Sequence, residues 1–305
     1  MCLPALVEVS VASMNEPVFV LGNPRSGTSL LRLMLTSHSE VVIPPEAGFM
    51  CWLHAKYAPF SKYDWRDTSK LALFCADVAG SKKFDTWNLA TRDVVASLAS
   101  SRPETYAEAC ECVYKAFVQK TKPSATRWGD KNNFHCGRVH VLRSLFPKAQ
   151  FLHIVRDPRD VACSYRDVMN LASQSPYRPN LPVNFEQIAQ QWIENVSSVR
   201  MTCGHMPAWQ RCVIRYEDLV NSSGETLSGI CRWLGLEFEA EMLRFNEKNK
   251  AECLEPETTL DWKRRTLDPP TASRVGRYVR DLTIEERVGI EAVAGAEMER
   301  FGYAV

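Results

Sequence analysis

The chain has 305 residues, 45% of them hydrophobic, enough for a sizeable core. Lysine and arginine number 37 against 36 acidic residues, so net charge recommends neither nucleic acid nor a membrane surface as partner, and any anion site must come from local clustering. Eleven cysteines without a C-x-x-C pair, with Cys110-x-Cys112 a poor metal spacing, read as reduced thiols of a cytoplasmic protein, and no run approaches the roughly 20 apolar residues of a membrane span.

In chain order, residues 1–16 read as an N-terminal extension: Glu8, Pro4 and the lack of an early basic residue make a poor secretory signal. Residues 17–305 are expected to form one domain. VFVLG (18–22) is a short apolar run bounded by turn residues, as in a buried parallel strand, and GTSLLRLMLTSH continues it as a helix with Leu30, Leu31, Met34 and Leu35 on one face. Pro59 to Trp87 lacks clear periodicity. PETYAEACECVYKAFVQK places Tyr106, Ala109, Cys110, Val113 and Phe117 on one face, a core-packing helix. QFLHIVR (150–156) followed by DPRDVACSYRDVM repeats strand then helix, with Asp157 as N-cap and Pro158 at the first helical position. RCVIRY (211–216) reads as a third buried strand, flanked by helices over 184–205 and 283–302. Asn249 to Arg277, rich in charge and proline, is a second aperiodic segment, and loops of that length usually cover a site. Strands alternating with helices define an α/β fold with a parallel sheet.

Two stretches carry chemistry. GNPRSGTS (22–29) has the outline of a P-loop, G-x-x-x-x-G-K-[ST], with Thr28 in place of the lysine. A glycine-bounded turn at a helix N-terminus aims amides and the positive end of the helix dipole at one point. Arg25 can supply the missing full charge, and Ser26, Thr28 and Ser29 offer hydroxyls; an ordinary strand-to-helix turn would use much the same residues. FLHIVRDPRDVACSY then puts Arg156 at a strand's carboxyl end and Ser164 about two turns into the next helix, where open α/β sheets bind ligands. Salt bridging among Arg156, Asp157, Arg159 and Asp160 is the competing account.

Together the two stretches resemble the sulfotransferases that use 3′-phosphoadenosine 5′-phosphosulfate (PAPS). PRSGTSLL is similar to their 5′-phosphosulfate loop, and IVRDPRDVACSY to their 3′-phosphate motif. GDKN (129–132) and IRYEDLV (214–220) fall in the family's order. The resemblance implies a P-loop-like three-layer fold with a mainly parallel sheet of four to five strands. It also implies a donor without a γ-phosphate and no metal requirement. Arginine in place of the loop lysine points to the tyrosylprotein and bacterial branch.

The resemblance further implies roles. Arg25 and the loop residues Ser26, Gly27, Thr28 and Ser29 would hold the phosphosulfate, and Lys131 of GDKN would reach the leaving oxygen. Arg156 and Ser164 would grip the 3′-phosphate, with Tyr216 near the nucleotide. SRVGRYVRDLT (273–283) would close over it through Arg274, Gly276 and Arg277. Where the cytosolic branch carries a catalytic histidine this chain has Asn133, so the base falls to Glu46 of VVIPPEAGF. Burial of Glu46 beside apolar residues would raise its pKa towards that of a working base; a carboxylate favoured by a helix dipole is the plainer account. His38, His54 and His135 are reserve bases. Trp128 is a candidate for stacking on adenine, with a core position as the alternative. Phe49, Trp52, Tyr57, Phe60, Tyr63 and Trp65 would suit a hydrophobic acceptor.

The function expected is therefore transfer of a sulfuryl group from PAPS to the hydroxyl of a small-molecule acceptor, with a protein tyrosine or a glycan as alternatives. A P-loop kinase or NTPase, with Asp130 as its metal ligand, and a non-catalytic nucleotide-binding protein are the other classes considered. A homodimer is compatible with the sequence.

Overall fold

A computed structural model describes residues 16–58, 65 and 67–305. Most of the N-terminal extension, together with Phe60 and Tyr63, lies outside the described residues. The centre is a five-stranded, wholly parallel sheet of β1 (Val18–Leu21), β2 (Val41–Val42), β3 (Arg127–Lys131), β4 (Gln150–Val155) and β5 (Arg211–Arg215). Its order is β2-β3-β1-β4-β5. The chain therefore starts in the middle, builds to one side and then crosses to the other. β1 pairs Val18 with Gly129 of β3 and with Gln150 of β4, so its carboxyl end opens at the point where strand order reverses.

β1 and β4 are buried throughout, as their apolar runs require. β5 differs from its reading as a buried strand. It is an edge strand with Val213 half exposed, and neither face nor outer edge is fully covered. β3 is buried along its whole length although it reads RWGDK. Its polar groups are paired locally: Arg127 with Gln150, Asp130 with Tyr114 and His135, Lys131 with Glu46.

Helices cover both faces. α1 (Thr28–Ser37) leaves the loop after β1, and α2 (Tyr106–Thr121) carries a capping box at Thr105 and Glu108. α3 (Pro158–Asn170) follows β4, with the Asp157 side chain accepting from the Arg159 amide and proline at the first turn. α4 (Phe185–Cys203), α5 (Tyr216–Asn221) and α6 (Ile284–Arg300) complete the frame. The segment before Trp87 contains a helix, Thr68–Ala79, capped by Asp67 and burying Leu71, Phe74, Cys75 and Val78. The charged segment from 249 to 277 folds as short helical turns packed against α1.

Candidate active site

All five strands deliver residues to one rim. After β1, the chain turns through Gly22 and reaches Arg25, a non-glycine residue in the left-handed region at φ 67°. Gly27 caps α1 at φ 93°, and a Cβ there would stand 2.5 Å from the Tyr216 ring, so both backbone angle and space require glycine. The cap supplies no side-chain hydrogen bond. The first-turn amides of α1 are therefore left for another acceptor, because a helix cannot satisfy them internally. Thr28 Oγ1 instead donates to Asn133 Oδ1 at 3.1 Å. Asn133 thus ties the start of α1 to the turn after β3.

After β4, the Arg156 guanidinium lies over the Tyr216 ring, its carbon 4.2 Å from the ring centre. Its Nη1 donates to the Arg25 carbonyl at 3.2 Å and its Nη2 to the Arg274 carbonyl at 2.8 Å. Arg25 Nε donates to Ser164 Oγ at 3.2 Å. The two sequence motifs, more than a hundred residues apart, are therefore in direct contact. Burial, helped by the neighbouring cation Arg156, lowers the pKa of the Arg25 guanidinium.

After β2, Ile43, Pro44 and Pro45 lead to Glu46. Lys131 donates to Glu46 Oε1, Lys83 Nζ donates to Oε2 at 2.6 Å, and Lys263 Nζ lies 3.8 Å from Oε1. The expected rise in the Glu46 pKa is not found. Burial alone would raise it, but Lys131, Lys263 and Lys83 hold the carboxyl well below the usual range. Lys131 itself is pushed down to about 8, by burial first and by Lys263, against the opposing pull of Glu46.

These groups line one cavity of about 550 Å³. Arg25, Gly27, Thr28, Ser29, Glu46, Lys131, Arg156, Ser164, Tyr216, Arg274 and Arg277 all face it. Ser26 lies beneath it, fully buried, with its hydroxyl unpartnered. Arg274 and Arg277 are both paired with Asp167, at 2.6 and 2.7 Å, so they arrive with their charge already partly neutralised. Asp160 accepts from the amides of Gly276 and Tyr278 and pins the segment that carries Arg274 and Arg277 to α3.

Other candidates fall elsewhere. Trp128 stacks on Tyr114 with ring centres 4.2 Å apart inside the core, and does not face the cavity. His38 is buried against the Glu237 carbonyl at 2.8 Å. His135 is buried on Asp130, which lifts its pKa to about 10 against the effect of burial. His54 does not face the cavity either. Phe49, Tyr57 and Trp65 are core residues, and Trp52 is surface-exposed outside the cavity. The apolar wall is supplied instead by Leu171, Tyr177, Leu181 and Trp262. Sequence reading missed Lys83, Glu255 and Lys263. Only the aperiodic, charge-rich character of 249–277 pointed towards the last two.

The fold is that of a P-loop-like α/β protein, with the cations Arg25, Lys131 and Arg156 gathered at one rim of the sheet. A family model described as the sulfotransferase family matches residues 17–240, and the chain belongs to that family. It is 21% identical over 243 residues to a Caenorhabditis briggsae protein provisionally named a protein-tyrosine sulfotransferase, covering 79% of this chain and 73% of that one. It is 25% identical over 294 residues to nodulation protein NoeE of Sinorhizobium fredii, covering 92% of this chain but 64% of NoeE, under two thirds of its length. Among solved structures it resembles the sulfotransferase domain of the Synechococcus PCC 7002 olefin synthase, with a TM-score of 0.61 at 20% identity over 95% of this chain and 97% of that one. The sulfotransferase domain of the curacin biosynthetic pathway gives 0.56 at 19%, covering 95% and 99%. At these identities the structural likeness speaks for the fold. Among the described residues, no helix is long and apolar enough to cross a membrane.

Proposed function

We propose that the cavity transfers a sulfuryl group from PAPS to the hydroxyl of a small-molecule acceptor. The observation that carries this reading is the meeting of two anion grips, the 22–29 loop and the Arg156–Ser164 pair, in a cavity that also holds Glu46 and Lys131. The residues present fit a donor with phosphate at both ends. Arg156, which lines the cavity, has its Nε buried without a partner, and the first turn of α1 is uncapped.

PAPS, when bound, supplies the sulfuryl group and a phosphate leaving group. Arg25 with the amides and hydroxyls of Ser26, Gly27, Thr28 and Ser29 would bind the 5′ end. Arg156 and Ser164 would bind the 3′-phosphate, with Tyr216 against the nucleotide and Arg274 and Arg277 closing over it. Lys131 and Arg25 would offset charge on the leaving oxygen as it develops. Glu46 would take the proton of the attacking hydroxyl. Its low pKa is compatible with that task, because an oxygen already bonding to sulfur is strongly acidic and a weak base suffices. Glu46 is ionised at neutral pH, which is the state a base requires.

The apolar wall of Leu171, Tyr177, Leu181 and Trp262 supports an acceptor with a hydrophobic body. All cysteines among the described residues are free, which supports a cytoplasmic setting. A peptide tyrosine is the second reading, favoured by the name of the C. briggsae relative. A screen of labelled PAPS against alcohols, phenols, glycans and tyrosine peptides decides. Labelled small alcohols or phenols are expected; transfer confined to peptides would replace the acceptor class, and transfer to no hydroxyl would overturn the reading.

A further inference from the structure

A buried line of charges of alternating sign runs from Arg32 and Glu255, outside the cavity lining, to Lys263, Glu46 and Lys131, which line it. Arg32, on α1 and 2% exposed, donates through Nη2 to Glu255 Oε2 at 2.8 Å. Glu255, also 2% exposed, accepts through Oε1 from Lys263 Nζ at 2.7 Å and from Thr259 Oγ1 at 2.6 Å. Lys263 stands 3.8 Å from Glu46 Oε1, and Glu46 meets Lys131. The same Arg32 guanidinium donates to the Ile43 carbonyl at 3.1 Å and the Leu254 carbonyl at 2.9 Å. It thereby fixes the strand end leading to Glu46 and the turn leading to Lys263 in one stroke. Buried charges persist only when paired, so this line is maintained as a unit.

The geometry points to Lys263 as a positioning residue for sulfuryl transfer, acting through Glu46, with Glu255 and Arg32 holding it in place. The inference rests on the reading of Glu46 as the base. Its particular feature is the separation. At 3.8 Å, Lys263 is within ion-pair range of Glu46 but beyond hydrogen-bond distance. It therefore favours the ionised carboxylate without occupying a lone pair, which stays open to a hydroxyl proton. Lys83 and Lys131 do occupy lone pairs. Glu255 keeps Lys263 from closing that gap, because its carboxylate already holds the ammonium at 2.7 Å.

The charged groups that face Glu46 are Lys131 from β3, Lys83 ahead of the Phe84–Trp87 turn, Lys263 from the Glu257–Lys263 helix and Arg25 from the loop. Among them, Lys263 is the one that also touches Glu255, whose carboxylate balances its charge at 2.7 Å. Its removal should therefore be felt at Glu46 as a change of titration and not of donor affinity.

Carbon NMR of full-length protein labelled at the glutamate carboxyls tests this, the Glu46 signal being identified by its loss in Glu46→Gln. K263R keeps the charge, and the double variant K263M/E255Q removes the ammonium together with its carboxylate partner, leaving Arg32 its two carbonyl acceptors, Ile43 and Leu254. The Glu46 midpoint should stay near its native position in K263R and rise by about one pH unit or more in K263M/E255Q, since a cation at this distance favours the carboxylate. The acid limb of sulfate release from PAPS, with water as acceptor, should rise equally, with KM for PAPS unchanged within about twofold. An unmoved midpoint in the double variant overturns the inference. Native-rate sulfate release by Glu46→Gln would instead remove the base assignment, while the NMR arm still reads the coupling to Lys263.

Discussion

Glu46 sits where burial and charge pull in opposite directions, and charge wins. With Lys263 balanced by Glu255, Lys83, Lys131 and Arg25 around the one carboxylate of Glu46 still leave the site with a surplus of positive charge, suited to a donor that arrives heavily anionic. Glu46→Gln should cut turnover by roughly 10²-fold to 10⁴-fold while nucleotide affinity changes little, since a general base contributes about that much and touches the acceptor. Parallel rate and binding measurements check both halves; near-native turnover would move the base elsewhere. Arg25, Lys131, Arg156, Ser164 and Tyr216 were legible because each lies in a short motif at or just after a strand end, Ser164 being carried by the helix that follows β4. Lys83, Glu255 and Lys263 were not, because they reach Glu46 only through the packing of segments distant in sequence. The error on the Glu46 pKa has the same origin: the apolar neighbours are adjacent in sequence and the lysines are not.

At the scale of elements, the loop after β1 and the start of α5 fit face to face. Gly27→Ala would place a methyl group against the Tyr216 ring and strain a left-handed turn. It should weaken 3′-phosphoadenosine 5′-phosphate binding and lower the melting temperature, whereas alanine at Gly224, which meets no neighbour, should do neither; calorimetry and thermal melts compare them. Arg156 ties β4 to the loop and to the segment that carries Arg274 through two carbonyls. Arg156→Ala should weaken the bisphosphate by about 10²-fold or more, the scale of lost charge-assisted bonds. Adenosine 5′-phosphosulfate, which lacks the 3′-phosphate, should lose far less in the same titration, and equal losses would argue against a 3′ contact. β1, β4 and the long helices could be read from periodicity. β3 could not, because its polar residues are buried through partners from α2, the Asn133–Arg138 turn and the β2 tail. β5 looked buried because Cys212, Val213 and Ile214 form a continuous apolar run, although at the sheet edge Val213 is left exposed. The helix Thr68–Ala79 did carry a signal, with Leu71, Phe74, Cys75 and Val78 at helical spacing after an Asp67 cap.

Across the whole molecule, buried titrating groups set the response to acid. Glu255 has its pKa lowered from 4.5 to about 2: burial would raise it, but Lys263 and Arg32 prevail. A carboxylate with a depressed folded pKa gives stability that is present above pH 4.5 and lost as pH falls towards 2. His153, on β4, is buried with its Nε2 unpartnered, and burial lowers its pKa from 6.5 to about 3. The unfolded chain takes up that proton first, so stability falls as pH drops from 6.5 towards 3. Urea midpoints should decline steadily below neutrality, and His153→Phe should flatten the upper part of that decline. A midpoint independent of pH between 6.5 and 4.5 would contradict both the burial of His153 and its neutral state.

The central claim is that one cavity joins the 22–29 loop to Arg156 and Ser164 around a donor carrying phosphate at both ends. Thermal unfolding with added 3′-phosphoadenosine 5′-phosphate, in the presence of a metal chelator, tests it most directly. A rise of several degrees at ligand well above its Kd is expected, larger than the rise given by Mg-ATP. No rise at millimolar ligand, or one that Mg-ATP equals, would contradict it.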